Sequence, residues 1–559
     1  MAFQEREISS QRLRVYAFCF HACWVVIVAL ATIRRFSLPL EPLADRDVWG
    51  YLSPGLLKIL GHPFIQSEGR GFVYPGFVYL TLRAFGNLNA VTIIQHLFGL
   101  GAGLLLLANW TAARRLLPNP RLPRILYDVF GLGMLATYLF SAQSILAEHH
   151  LRAEGILPFF ALLGFGCTIQ FFLAWRIDKN PSRAAWFGAA SLLIAFLLPL
   201  FKPSFTLTSV LTTLPIWWQL FDRREKWVRK LAMVGGPVFT ALVLLWIPEH
   251  RYAEADPRSR IFLPSSLFTI HARQIRAQIA SDLATNPACL PYSHEQLQAI
   301  LTLLDAEMAI STQIVRHNFS SLGFDADYLL YEDSFCRKLQ DILPVREARA
   351  DFYRFYFRRT WSEQPGAMLH KIVAQLGLFY NFDCPVYFEK STRFDRSYNE
   401  SYAFLSEPNR VVTMARVPLA MDYLQSLPAL AQIHVAAVQP TALKLLMPLL
   451  GGTYLPIFLL SGVVMVWLLV APQLRAACGW LGAVVAIGYG YNLGNNLAIA
   501  CFHTLGVGRY SHVQLGTTLL TQGLALYLFV EIALWWRLRA ITPPSCSSRL
   551  SRVTTAALK

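Results

Sequence analysis

Long apolar runs separated by short polar, basic segments dominate the chain. Runs of about 20 apolar residues match the length a helix needs to cross a hydrocarbon core of ~30 Å. Read in order, the spacing predicts spans over 14–34, 89–110, 125–146, 155–175, 184–200, 204–221 and 231–247. A polar region with ordinary charge density follows, from 248 to 440, and its apolar positions at spacings of three and four predict helices. Three further spans are predicted at 450–471, 477–502 and 513–536, with an interfacial helix at 440–449. Between the first two spans lies a long loop, 35–88. Its segments 52–60 and 75–85 are too short to cross and suit helices lying in the interface.

The fold class read from this pattern is an all-α polytopic membrane protein of about ten transmembrane helices. Only helices or closed barrels satisfy their backbones in lipid, and these runs are too continuous for barrel strands. The organisation expected is a transmembrane module over 1–247, a mostly helical extracytoplasmic domain over 248–440, and a second transmembrane module over 441–559 with a basic tail. No cleavable signal peptide is read; the first apolar run has no small-residue cleavage site after it.

Composition agrees. The chain has 559 residues, 55% hydrophobic and 15% charged, whereas soluble domains carry about 25% charged residues. The formal charge of +16 does not point to nucleic acid, because Lys and Arg cluster at helix ends, where they set topology. The loops after the second, fourth and sixth spans hold Arg114, Arg115, Arg121, Arg124, Arg176, Lys179, Arg183, Arg223 and Arg224. The positive-inside rule places these loops and both termini in the cytoplasm, and the expected location is a bacterial inner membrane. The polar region and four loops, at 45–75, 148–154, 202 and 503–512, then share the outer side.

Those outer loops carry the candidate chemistry. Asp45 and Asp47 lie beside Trp49 and Tyr51. Partial desolvation there would raise a carboxyl's pKa and suit it to general-base work. The competing roles are a helix cap for Asp45 and pairing with Arg46 or Arg70 for Asp47. Arg70, Arg152, Lys202 and Arg509 are single cations suited to gripping a phosphate, or else to reaching headgroups or pairing with Glu148 and Glu154. Glu148 and His149 offer a weak possibility of a divalent metal. Asn492, Asn495 and Asn496 suit interhelical hydrogen bonds. Nine cysteines show no metal-ligand spacing; a disulfide between two of Cys289, Cys336 and Cys384 is possible if their region faces an oxidising compartment. Asn318 and Asn399 begin glycosylation sequons, which matter only in a eukaryotic host.

Asp47-x-x-Gly50-Tyr51, then Arg70-Gly71-x-x-Tyr74-Pro75, with interfacial helices in one outer loop, resembles the GT-C superfamily of integral-membrane glycosyltransferases. Within it, the protein mannosyltransferases and the lipid A aminoarabinose transferase branch are the likeness. The outer loop with Glu148, Arg152 and Glu154, and Arg509-Tyr510 before the last span, look like the same pattern. The likeness covers the first six spans and the last two; 248–440 resembles nothing specific. It implies a GT-C-like bundle and sugar transfer, usually inverting, from a polyprenyl-phosphate donor to a lipid, glycan or protein acceptor on the outer face. It aligns Asp47 with the family's first-loop catalytic carboxylate, the base that takes the acceptor hydroxyl's proton or orients that hydroxyl, and Arg70 with a phosphate contact; Lys202, Arg509 and Tyr510 would share the phosphate. Tyr51, Tyr74, Glu148, His149, Arg152, Glu154 and His503 would support them. Relatives often have two adjacent acids, whereas Arg46 separates Asp45 from Asp47 here, so either could act. Rival readings are a transporter or flippase of a lipid-linked saccharide, an O-antigen polymerase or ligase, and a non-catalytic assembly protein.

Overall fold

The structure is a computed structural model that describes residues 2–67, 69–222, 226–254, 259–285, 290–388 and 391–541. Arg223 and Arg224 of the basic loop, Cys289, and the tail beyond 541 lie outside the described residues. The described chain is almost wholly helical; its one sheet pairs Thr392–Arg393 with Ala436–Ala437, antiparallel. Among the described residues, eight helices are long and apolar enough to cross a membrane, and a bent pair makes nine.

The differences from the ten predicted spans have local causes. The predicted span over 125–146 forms two helices, Arg124–Leu139 and Ala142–His149, bent by 45°. Ser141 starts the second by accepting a hydrogen bond from the Ser144 N–H at 3.1 Å, an N-cap that competes with helix continuation. The run over 204–221 forms a turn and the 15-residue helix Thr206–Leu220, with Pro215 inside. At 1.5 Å per residue that helix is only ~22 Å long. It packs along Pro472–Phe502, where a Cβ on Gly494 would come within 2.6 Å of the Thr208 backbone nitrogen. The interfacial helix expected at 440–449 is continuous with its span in one helix, Thr441–Val470.

Polar residues hold the inner helices in register. Ser204 donates to Asn495 at 2.6 Å, Gln514 to Asn496 at 2.7 Å and Thr517 to Asn492 at 3.1 Å. The three asparagines therefore join elements to one another, as expected for amides in lipid. Helix Trp227–Glu254 and the first helix bury little of their apolar surface in the rest of the chain.

The polar region supplies two cores. Residues 261–357 form their own, centred on Phe268 and Phe335, whose rings stack at 5.1 Å. Residues 394–437 pack instead against the first outer loop. There the Tyr398 hydroxyl donates to the Glu41 carbonyl at 2.7 Å and the Tyr423 hydroxyl to the Pro42 carbonyl at 2.6 Å. Ser401 Oγ accepts from the Ala44 N–H and donates to the Ala44 carbonyl, both at 2.9 Å. These bonds clamp the backbone immediately before Asp45. Cys336 and Cys384 are free thiols.

Candidate active site

The site begins where the loop after the first span touches the loop after the third. Leu43 N–H donates to the His149 carbonyl at 2.8 Å and Leu151 N–H to the Leu43 carbonyl at 3.1 Å. This short parallel bridge brings residues 45–47 beside 152–154. Asp45 does not cap the helix Trp49–Ile59 with its side chain; its Oδ1 accepts the Asp47 N–H at 3.1 Å and Arg152 Nε–H at 3.1 Å. Arg46 points away, 86% exposed, toward Glu332 at 4.0 Å.

Asp47 is the centre. Its Oδ1 accepts from Arg70 Nη2 at 2.8 Å, and its Oδ2 accepts from Arg509 Nη1. Arg152 Nη2 lies 3.8 Å from the same Oδ2. Arg509 also donates to the Tyr510 hydroxyl at 3.3 Å, and Lys202 Nζ sits 4.2 Å from the Tyr510 ring centre while pairing with Glu154 at 3.1 Å. Four cations, Arg70, Arg152, Lys202 and Arg509, thus face three carboxylates, Asp45, Asp47 and Glu154. Among the described residues the Nε–H groups of Arg70 and Arg509 have no protein acceptor. Unused guanidinium donors in such a cluster are suited to an added anion.

Backbone and aromatic groups fix this geometry. Gly69 at φ 70° turns the chain into Arg70, a conformation glycine adopts without steric cost. Gly71 then lies against the end of helix Pro181–Phe201, so closely that a Cβ would be 2.4 Å from the Leu200 carbonyl oxygen. The Arg70 guanidinium lies 5.1 Å from the Tyr51 ring centre, and Tyr51 meets Tyr74 edge to face at 5.1 Å. The Tyr74 hydroxyl donates to Gln95, whose amide donates to the Glu148 and His150 carbonyls at 2.7 and 3.0 Å. Tyr51 and Tyr74 therefore act as an edge-to-face pair supporting Arg70.

Electrostatics differ from the expectation at Asp47. Burial would raise its pKa, but the Arg509 and Arg70 charges outweigh it and hold the carboxyl below its usual value. The sequence offers Arg70 as a partner for Asp47, but only folding places a second guanidinium, that of Arg509, on the other carboxyl oxygen. Burial likewise opposes ionisation of Glu154, but Lys202, Arg509 and Arg152 hold it charged. Lys202 is pulled down to about 8, chiefly by burial, with Glu154 opposing.

Glu148 and His149 are not at the site. Glu148 is buried in a bidentate pair with Arg35, at 2.8 and 2.9 Å, and touches His96 Nδ1 at 2.7 Å. The His149 ring nitrogens lie 3.0 and 3.1 Å from the Ile145 and Pro39 carbonyls. The two side chains proposed as a metal pair turn to separate partners. Among the described residues no three His, Cys, Asp or Glu side chains are grouped to share an ion. Arg35 could have been noticed in the sequence, since it and Arg34 sit at the end of the first span expected to be poor in basic residues.

His503 does join the cluster. Its ring meets Tyr510 edge to face at 5.1 Å, and its Nε2 lies 3.9 Å from Asp327. Asp327, on the helix Ala326–Tyr331 of the polar region, was not predicted. No local pattern distinguishes it from other surface acids, and only packing brings it here.

No protein-family model matches the sequence, and no curated protein matches it. Two solved structures are similar. The apo oligosaccharyltransferase of Archaeoglobus fulgidus matches at 12% identity and a TM-score of 0.35, over 96% of this chain and 54% of that one. ArnT from Cupriavidus metallidurans, bound to undecaprenyl phosphate, matches at 15% identity and a TM-score of 0.30, over 90% of this chain and 77% of that one. The chain spans about half the length of the oligosaccharyltransferase. Likeness at this distance carries no argument about chemistry, which rests on this chain's own residues. The chain is a polytopic, all-α integral membrane protein with distant structural likeness to an oligosaccharyltransferase and to ArnT.

Proposed function

We propose that this protein is a GT-C-type membrane glycosyltransferase. It transfers a sugar, with inversion, from a polyprenyl-phosphate donor to a lipid, glycan or protein acceptor on the outer face. The membrane is a bacterial inner membrane with both termini cytoplasmic. The observation that carries the reading is the convergence on Asp47 of Arg70 and Arg509, with Lys202 and Tyr510 adjoining, from three separated outer segments. An apolar groove of about 470 Å³, lined by Phe72, Val73, Phe77, Leu80 and Leu244, begins two residues beyond Arg70. It suits a prenyl chain whose phosphate reaches the cations.

In this mechanism the phosphate exchanges into the cation cluster. The Nε–H groups of Arg70 and Arg509 and the Lys202 ammonium stabilise it as it leaves the anomeric carbon. The sugar develops oxocarbenium character, as in glycoside hydrolysis, but phosphate is a sufficiently good leaving group to need no acid. Asp47 holds both guanidiniums and orients the incoming acceptor.

The test uses the full chain in lipid nanodiscs, with undecaprenyl phosphate as the probe and undecaprenol as the uncharged control. Losing a charge-assisted hydrogen bond costs ~1.5–3 kcal/mol, so Arg509→Ala should weaken phosphate binding by about 10–100-fold. Equal affinity for the alcohol, or unchanged binding in both Arg509→Ala and Arg70→Ala, would sink the donor site. For the reaction, mass spectrometry of lipids and glycoconjugates should show a product lost on gene deletion and restored by the wild-type gene. Identical profiles would remove the enzyme reading.

A further inference from the structure

Each carboxylate nearest the proposed phosphate site has a cationic partner. Both Asp47 oxygens are bonded to arginines, Asp45 is bonded to Arg152, and Glu154 to Lys202. Asp47 and Glu154 are also driven toward the ionised form, which makes each a weak proton acceptor. A transferase whose acceptor is a hydroxyl still needs a group to receive that proton.

Asp327 differs from these three. It stands at the start of the helix Ala326–Tyr331, where it is held over the cluster by the core around Phe268. Arg316 would be its natural partner, but that guanidinium forms two bonds with Asp325 and lies 3.7 Å from Asp327. The other cationic candidate, His503 Nε2, is 3.9 Å away. Neither distance is a hydrogen bond. The side chain is 28% exposed. It is also close enough to Asp47 and Arg509 for both to act on its ionisation. Tyr331, four residues on and so on the same helix face, feels Asp327, Arg70, Asp47 and Tyr510. Asp327 thus adjoins the phosphate site through His503, whose ring meets that of Tyr510 at 5.1 Å.

Resting on the glycosyltransferase reading, we infer that Asp327 is the catalytic base and that the acceptor nucleophile is a hydroxyl bound between Asp327 and Asp47. The acceptor O–H bond breaks and its proton goes to the Asp327 carboxylate. The freed oxygen lone pair forms the new bond to the anomeric carbon. The anomeric C–O bond to phosphate breaks, and its electrons leave on the phosphate oxygen, held by Arg70 and Arg509. The polar region then contributes directly to the chemistry, in addition to covering the membrane module.

The ionisation of Asp327 suits this role. Burial is the largest influence and raises its pKa to about 6; Asp325 and Asp47 add to the rise, while Arg316 and Arg509 oppose it. His503, the other titratable group in contact, is pushed down to about 3 by burial and by Arg509, and so is neutral where Asp327 titrates. Transfer should rise as pH increases through about 6, since the base acts only when ionised, and fall again as Lys202 loses its charge through about 8.

The test measures product formation in membranes of the deletion host carrying wild type, Asp327→Asn or Asp327→Glu, with undecaprenyl phosphate binding to each purified variant alongside. General-base catalysis contributes ~10²–10⁴-fold. Asp327→Asn should therefore lower transfer at least 100-fold while binding stays within about twofold, and Asp327→Glu should recover most of it with a displaced acid limb. Asp327→Asn at full rate overturns the inference and leaves the donor-site reading intact. Loss of both transfer and binding in Asp327→Asn and Asp327→Glu alike also overturns it, by making Asp327 structural. No wild-type product at all removes the parent reading instead.

Discussion

The Arg35–Glu148 pair is the sharpest point at which sequence and structure assign one residue different work, and Glu148→Gln tests it. Arg35 is fully buried and the Glu148 side chain is 3% exposed, with two parallel bonds at 2.8 and 2.9 Å. Arg35 has further bonds to the Leu139 and Ala31 carbonyls, so it cannot swing out to water without breaking the join between the first helix and its neighbours. At ~4 Å between charge centres and an effective dielectric of ~20, the pair attracts by about 4 kcal/mol. Breaking a buried pair by removing one partner costs ~3–5 kcal/mol, because the remaining charge is left uncompensated. Glu148→Gln should therefore cost about 3–5 kcal/mol in an SDS-unfolding titration. Arg35→Met with Glu148→Leu should recover most of that loss, since matched apolar replacements of buried pairs are often near neutral. Undecaprenyl phosphate affinity in the double variant should stay within about threefold of wild type. A Glu148→Gln protein as stable as wild type would refute the ion-pair argument. A double variant that is stable but has lost phosphate binding would return Glu148 to the site.

Two further outcomes follow from the site geometry. Gly71→Ala places a Cβ 2.4 Å from the Leu200 carbonyl oxygen, a backbone atom that cannot rotate away. The segment carrying Arg70 must move by about 1 Å, a displacement that can cost ~10²-fold at a reacting centre, while the overpacking itself costs ~1–3 kcal/mol. Phosphate binding should fall far more than thermal stability; unchanged binding would mean that Arg70 placement does not depend on this contact. Lys202, brought down to about 8 chiefly by burial, loses its charge as pH rises through that value, while a phosphomonoester is already dianionic. Undecaprenyl phosphate affinity should fall between pH 7 and 9 in wild type and stay level in Lys202→Arg; parallel profiles would remove Lys202 from the phosphate contacts.

How much was legible depends on the range of the interaction concerned. The apolar runs alone determined that the chain is helical and crosses a membrane many times, because lipid forces every backbone group to be satisfied within its own segment. Charge placement at helix ends and the paired acids of the first outer loop were equally local, and they picked out Asp47, Arg70, Lys202 and Arg509 from the sequence. Only tertiary structure decided where each side chain points. It drew Glu148 away to Arg35, lowered the Asp47 pKa that local aromatics suggested would rise, and brought Asp327 from 280 residues away in sequence to the edge of the cluster. These outcomes turn on contacts a few ångströms long between segments hundreds of residues apart. Periodicity reports which face of an element is buried, and it holds no information about which distant charge will meet that face.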